Sequence, residues 1–576
     1  MSEHELIIRG GTVVDGTGAP PRTADVAIEG GVVTDVGNLG ASSARRAIDA
    51  DGLLVTPGFV DIHTHYDGQA SWDERMIPSS WHGVTTVVAG NCGVGFAPVR
   101  DADHDRLVEL MEGVEDIPGA ALHEGLTWNW RSFPDFLDVL DGRRFDVDVA
   151  LQVPHGALRL HVMGERGAKR EPATGEDIAL MAKLAREAIE AGALGFSTSR
   201  TMNHRTSRGE LTPTLTAEAD ELVGIANAIG STGQGVLQVV SDFVDVDAEF
   251  GLFRRMAEES GRPLSFTLLQ TVGDRWRRQL ELLERANADG VPMTGQVAPR
   301  PVGLLLGLEC TLHPLLTNPA YRELAELPLA ERVARLTDPG VKQRILDAAR
   351  QKDGRIIDAF DRMFELGDPP DYEPHPSTSI AARAARDGRE PLDLAYDLLL
   401  GDDGHAFLYV PILNYADGNL DPAGEMLAHA NTVVGLGDGG AHVGTICDAS
   451  FPTTLLTLWG RDRDHGRLDV PFLVHRQTQA TARTVGLGDR GVLAPGYRAD
   501  VNVIDFDHLV ARRPAMRHDL PAGGKRLVQP ADGYVATLVG GEVTYERGDA
   551  TGPLPGRLVR GPQPAPAGAS SRGGTR

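Results

Sequence analysis

The chain has 576 residues, 41% of them hydrophobic, and a formal net charge of −25. Such a surface repels nucleic acids and anionic lipid headgroups, so neither is expected as a partner. Three cysteines (Cys92, Cys310, Cys447) make no disulfide framework, no stretch approaches a membrane span, and the start MSEHELIIRGG lacks a signal-peptide pattern, so a cytoplasmic protein is expected.

Residues 1–56 read as short Gly-punctuated strands, with a hairpin around Gly30-Gly31. The same texture returns in GVLAPGYRADVNVIDFD (491–507) and GYVATLVGGEVTYERG (533–548). The two ends, 1–56 and 491–560, are predicted to join in one small β-sandwich rather than form two separate β pieces. Between them, residues 57–490 alternate β-branched runs with Ala- and Leu-rich helical segments such as 175–192 and 275–290. The runs are 58–65, 83–93, 145–156, 192–200, 235–242, 263–270, 291–300 and 432–442. Eight strands in βα alternation predict an α/β fold, a (β/α)8 TIM-like barrel. An open doubly wound sheet is the alternative, but no Gly-rich phosphate fingerprint follows the early strands, and polar residues gather after the strands. Residues 301–431, between runs seven and eight, read as a helical and loop-like insertion covering the barrel mouth. The tail, 561–576, is low-complexity and expected to be disordered.

The first run ends in GFVDIHTHYDG (58–68). Residues two apart on a strand share a face, so His63 and His65 both point into the mouth while Thr64 turns away. Paired imidazoles suit a divalent metal, each donating a nitrogen lone pair at about 2.1 Å. Asp438, in GLGDGGAH after the apolar run VVGL, is predicted as a strand-end carboxylate rather than a turn residue.

These stretches resemble the amidohydrolase superfamily and, within it, the D-aminoacylase (N-acyl-D-amino-acid deacylase) branch. PGFVDIHTHYDGQ (57–69), GNCGVGFAP (90–98), VPHGALRLHVMG (153–164), GALGFSTSR (192–200), GLGDGGAHV (435–443) and LAPGYRADVNVIDFD (493–507) carry the likeness, which runs from about residue 5 to 560. The resemblance implies a metal-dependent hydrolase of amide C–N bonds, usually with zinc. It makes His63 and His65 metal ligands, Cys92 a zinc-binding cysteine, and Asp438 both a metal contact and the general acid/base.

The chain also departs from that family. Its histidines at the ends of strands five and six are absent, and Gln238 and Gln270 lie in those regions. None of the five lysines ends a candidate strand, so a bridging carboxylated lysine is not expected either. One zinc ion is expected, with the second site weakened. Three arrangements stay open: one metal on His63, His65 and Asp438 with Cys92 nearby; ligands drawn from His155, His204 or His442; or a metal-poor relative acting as a binding or scaffold protein. A hydrolase of cyclic amides or another C–N bond is the alternative enzyme. For a small-molecule substrate bearing a carboxylate, Arg200 and Arg205 after strand four and Arg300 after strand seven are candidate binders, with His155, His204 and His442 as further contacts. A homo-oligomer is compatible with the sequence.

Overall fold

The computed structural model describes residues 3–40, 42–349 and 358–567. Eight parallel strands pair in sequence order: Phe59–Asp61, Val84–Ala89, Asp148–Pro154, Gly195–Arg200, Val236–Ser241, Leu264–Thr267, Met293–Val297 and Thr432–Val434. Each lies inside one of the eight predicted runs. Beyond these strands, the chain after strand eight meets the chain after strand one. Thr64 bridges Gly439, the His65 N–H donates to the Gly439 carbonyl at 2.7 Å, and the Asp438 N–H donates to the His63 carbonyl at 2.9 Å. The result is the predicted (β/α)8 barrel.

The strands are apolar because both faces are covered. Every residue of Val84–Ala89 and of Asp148–Pro154 is buried. The predicted helix at 175–192 forms as Gly175–Glu190. It is started by a reciprocal cap between Thr174 and Asp177, and it buries Met181, Ala185 and Ala188 on one stripe. Those residues join Phe196 and Leu237 in the main core.

The chain ends do build one β unit, a nine-stranded sheet. Its junction is the antiparallel pair Leu54–Pro57 with Val501–Ile504. Leu6, Ile8, Val26 and Val55 from the N-terminal side pack with Val501, Val503 and Leu538 from the C-terminal side. A buried charge cluster ties this unit to the closed end of the barrel. Asp148, opening strand three, meets Arg490 at 2.7 Å and Arg498 at 3.0 Å, and Arg498 also reaches Asp500 at 3.2 Å.

Two expectations need correction. The insertion is more than helices and loops. Val302–Leu306, Leu408–Leu413 and Phe364–Glu365 form an antiparallel sheet, and Leu306, Leu336, Ile380, Leu399 and Leu408 give it a core of its own. The paired strands are about 100 residues apart, so no hairpin signal betrays them. The tail is also fixed further than expected. Gly561 N–H donates to the Gly192 carbonyl at 2.8 Å, and Gln563 exchanges backbone bonds with Gly486 and Gly488. Residues 568–576 lie outside the described residues.

His82 shows how the unit at the ends grips the barrel. It is fully buried; Nε2–H donates to the Gln529 carbonyl at 2.9 Å, and Nδ1 accepts from the Thr453 hydroxyl at 2.7 Å. Burial, opposed by the bond to Gln529, pushes its pKa down to about 4. An unfolded His takes up a proton near pH 6.5, which the native ring refuses until about pH 4. Stability therefore falls as pH drops through that window, by about 3 kcal/mol from this residue. In His82→Gln, the urea midpoint should be lower at pH 7 and should fall less between pH 7 and 4 than in the wild type.

Candidate active site

The barrel closure sets the floor of the site. His63 and His65 leave strand one side by side, with ring centroids 5.6 Å apart. Asp438 leaves strand eight in a left-handed conformation, φ 46°, a strain of roughly 1–3 kcal/mol for a residue other than glycine. The glycines beside it permit the close approach: a Cβ at Gly439 would stand 2.4 Å from Ser79 Oγ. Cys92 follows strand two, also at positive φ (54°), and its N–H donates to Gln238 Oε1 at 3.2 Å.

His63, His65 and Cys92 converge here, and Asp438 approaches both imidazoles. His63 Nε2 lies 3.2 Å from Cys92 Sγ and 3.5 Å from Asp438 Oδ1. His65 Nε2 lies 3.7 Å from the same Asp438 oxygen, and His63, His65 and Cys92 together satisfy metal-ligand spacing. A tetrahedral ion with bonds of 2.0–2.3 Å needs its donors roughly 3.3–3.8 Å apart; the two separations to Asp438 fall in that range and the His63–Cys92 one just below it. The surroundings fix the rings for that use. Gln296 Oε1 can only accept, so its 2.8 Å bond puts the proton of His63 on Nδ1 and leaves the Nε2 lone pair free. Glu115 Oε1 stands 3.2 Å from His65 Nδ1, the two packed together without a hydrogen bond. Asp438 Oδ1 is buried with no hydrogen-bond partner and faces both Nε2 atoms. Such a cluster is balanced by a cation, and the donor set fits a divalent one of zinc type.

Electrostatics separate the two acids. Burial works against the Asp438 carboxylate, but the surrounding imidazoles of His65, His63 and His442 outweigh it and hold its pKa well below the usual range. Burial, reinforced by Asp438 and Asp67, drives Glu115 well above its ordinary value. Burial likewise raises the Cys92 thiol, and a bound cation reverses that by taking the thiolate.

Above this floor lies a cavity of about 400 Å³. His204 and His442 line it beside Asp438, both kept neutral by burial, His204 with its pKa pushed down to about 3. Val240, Phe243, Leu269 and Leu436 make an apolar wall, completed by Val302 and Leu413 from the insertion's sheet. The insertion thus reaches the mouth, as expected.

Six of the ten residues singled out in the sequence meet at this cavity: His63, His65, Cys92, His204, Asp438 and His442. The other four do not. His155 is buried between Thr198 and Glu221, at 2.8 Å from each. Arg200 is spent on a bidentate pair with Glu249 at 2.8 and 2.9 Å. Arg205 lies out on its loop, bonded to the Gly209 carbonyl. Arg300 is buried against Asp448 at 2.9 Å and over the Tyr372 ring. In each case an acid, a carbonyl or a hydroxyl claims the group that was to meet substrate. Gln270 is likewise occupied, by Asn414, Ala416 and Asp417.

Three residues at the site were not singled out. Glu115 ends the helix His104–Glu115, continuing the buried stripe of Leu107, Met111 and Val114. An acid on an apolar stripe was the available signal. Gln296 lies in strand seven under His63. Arg275 opens the helix Arg275–Ala288 and is the cavity's one cationic side chain, with no ion pair among the described residues.

A barrel with histidines on strand one, a carboxylate on strand eight and a donor set for a divalent cation at its mouth defines a metal-assisted hydrolase. The chain belongs to the amidohydrolase family, whose sequence profile matches residues 46–545. It is a metal-dependent hydrolase of C–N bonds other than peptide bonds. The D-aminoacylase of Alcaligenes xylosoxydans xylosoxydans is 26% identical over 561 residues, 96% of this chain and 97% of its own. A solved D-aminoacylase superposes with a TM-score of 0.64 at 26% identity, covering 97% of this chain and 100% of its own. Another, with a TM-score of 0.63 at 26% identity and the same coverage, is described for a binuclear centre with one-metal activation and second-metal attenuation. The N-acyl-D-glutamate deacylase of Bordetella bronchiseptica, solved with zinc and a phosphonate mimic of the tetrahedral intermediate, gives 0.63 at 25% identity, also covering 97% and 100%.

Removing His63, His65 or Cys92 by His63→Ala, His65→Ala or Cys92→Ser should strip bound metal, measured by elemental analysis after gel filtration. Glu115→Gln should keep the fold and weaken metal retention about 10–100-fold against a chelator, the usual cost of losing an orienting partner.

Proposed function

We propose that this chain is a deacylase of N-acyl amino acids, with N-acyl-D-amino acids the leading class, working with a single zinc ion. The observation that carries the reading is the convergence of His63, His65 and Cys92 at the floor of the cavity, with the Asp438 carboxylate 3.5 and 3.7 Å from the two imidazoles. Those four residues would hold the ion, which supplies positive charge to polarise the amide carbonyl and acidify water. Asp438, ionised at neutral pH, takes a proton from the attacking water and returns it to the departing amine. An amide has a weak electrophile and a poor leaving group, so it needs both services. His204 and His442, neutral and beside Asp438, can donate to the oxygen on which charge develops.

A single ion is favoured because the places of a second ligand set are taken. Gln238 Oε1 accepts from Cys92 N–H, and Gln270 is bound up with Asn414, Ala416 and Asp417. The carboxylate of the substrate falls to Arg275. Three unpaired, buried cysteines suit a reducing cytoplasm.

The test is a panel of N-acyl amino acids of both hands, scored for free amine. D-substrates should be turned over and the L-series slower; no release from any member would overturn the deacylase reading. Asp438→Asn should lower kcat by a factor of about 10³ or more while sparing the fold, and turnover within a few-fold of wild type would remove it from the mechanism. Arg275→Ala should raise KM about 10–100-fold with little change in kcat, as expected for one charged hydrogen bond.

A further inference from the structure

Among the described residues, six large apolar side chains stand exposed, and three of them sit at the barrel mouth: Met202 (48%), Val244 (81%) and Val272 (80%). Isolated exposed hydrophobes need no explanation, but a group beside a ligand cavity does. Each is the chain neighbour of a cavity residue. Met202 lies between Thr201 and Asn203, Val244 follows Phe243, and Val272 follows Thr271.

The exposure is built rather than incidental. Asp242 ties the loop after strand four to the loop after strand five: Thr201 Oγ1 donates to one carboxylate oxygen at 2.5 Å and Met202 N–H to the other at 2.8 Å. Phe243 takes a left-handed conformation, φ 46°, costly for an aromatic residue, with its N–H on Ser241 Oγ at 3.0 Å. Its ring packs edge-on against Phe253 and Phe266, and that turn throws Val244 outward. Leu269, Val240 and Phe243 line the cavity, and the exposed Val244 and Val272 sit one residue beyond lining residues at its rim, marking an apolar track.

We propose that this track holds a medium- or long-chain fatty acyl group, making the preferred substrates N-fatty-acyl amino acids rather than N-acetyl ones. This rests on the deacylase reading. An acetyl group would end at the cavity floor and leave the rim bare. A lipid surface is a poorer occupant, because the chain carries a net charge of −25 and Asp242, Asp245 and Asp274 belong to these same loops.

The experiment measures kcat/KM of the zinc-loaded enzyme for N-acetyl, N-hexanoyl and N-decanoyl forms of one amino acid. The decanoyl form should exceed the acetyl form at least about thirtyfold, since each buried methylene favours binding several-fold. Val244→Asp and Val272→Asp should each cut that ratio about tenfold. A flat or falling profile overturns the proposal. A profile that rises but is unchanged in both variants does too. If no substrate of any length is turned over, the deacylase reading fails, and the track is then read alone by calorimetry with decanoate. Micromolar binding weakened about tenfold in the two variants supports it, and no binding overturns it. Adsorption to phosphatidylcholine vesicles lost in these variants, with a flat chain-length profile, would assign the rim to a membrane instead and overturn it.

Discussion

Two backbone hydrogen bonds govern this molecule's chemistry. His65 N–H to the Gly439 carbonyl and Asp438 N–H to the His63 carbonyl join the first and last strands of the barrel. They also place the paired imidazoles against the carboxylate, across some 375 residues of sequence. Closing the barrel and assembling the site are one event. The glycines around Asp438 serve that event: any side chain at Gly439 would drive Ser79 and Tyr66 out of place and part the strands.

Around that junction the protein spends buried polar groups on orientation. Gln296 holds the Nδ1 side of His63, so its Nε2 lone pair turns inward, and Glu115 packs 3.2 Å from the Nδ1 side of His65. Glu115 also accepts the His442 N–H with its backbone carbonyl, while the neighbouring Asp116 receives Thr311 from the insertion and Gly444 from the last loop. One helix end thus meets the His65 ring, the loop after strand eight and the insertion together. Pre-aimed dipoles of this kind need no rearrangement when charge develops in a reaction.

The barrel was legible in the sequence because parallel strands buried on both faces leave short β-branched runs, and all eight did so. His63, His65 and Asp438 were legible because strand ends in a barrel aim at its mouth. Arginines misled because a guanidinium after a strand serves structure as readily as substrate: Arg200 and Arg300 meet Glu249 and Asp448, acids that sequence spacing does not connect to them. Arg275 went unnoticed on a helix that reads as surface, and Glu115 because it reaches the floor from a helix rather than a strand. The insertion's sheet escaped for the same reason as the arginine pairs, a partner lying far along the chain.

The sheet at the chain ends has a consequence for synthesis. Leu54–Pro57 pairs with Val501–Ile504, segments about 450 residues apart. At 5–20 residues per second, a ribosome leaves the earlier strand without its neighbour for roughly 20–90 s. Throughout that interval Leu54 and Val55 present an open apolar edge, the kind that nascent-chain chaperones cover and that aggregates exploit. A late segment thus seals an early one, and the finished fold covers the Leu54–Pro57 edge only once most of the chain has been translated.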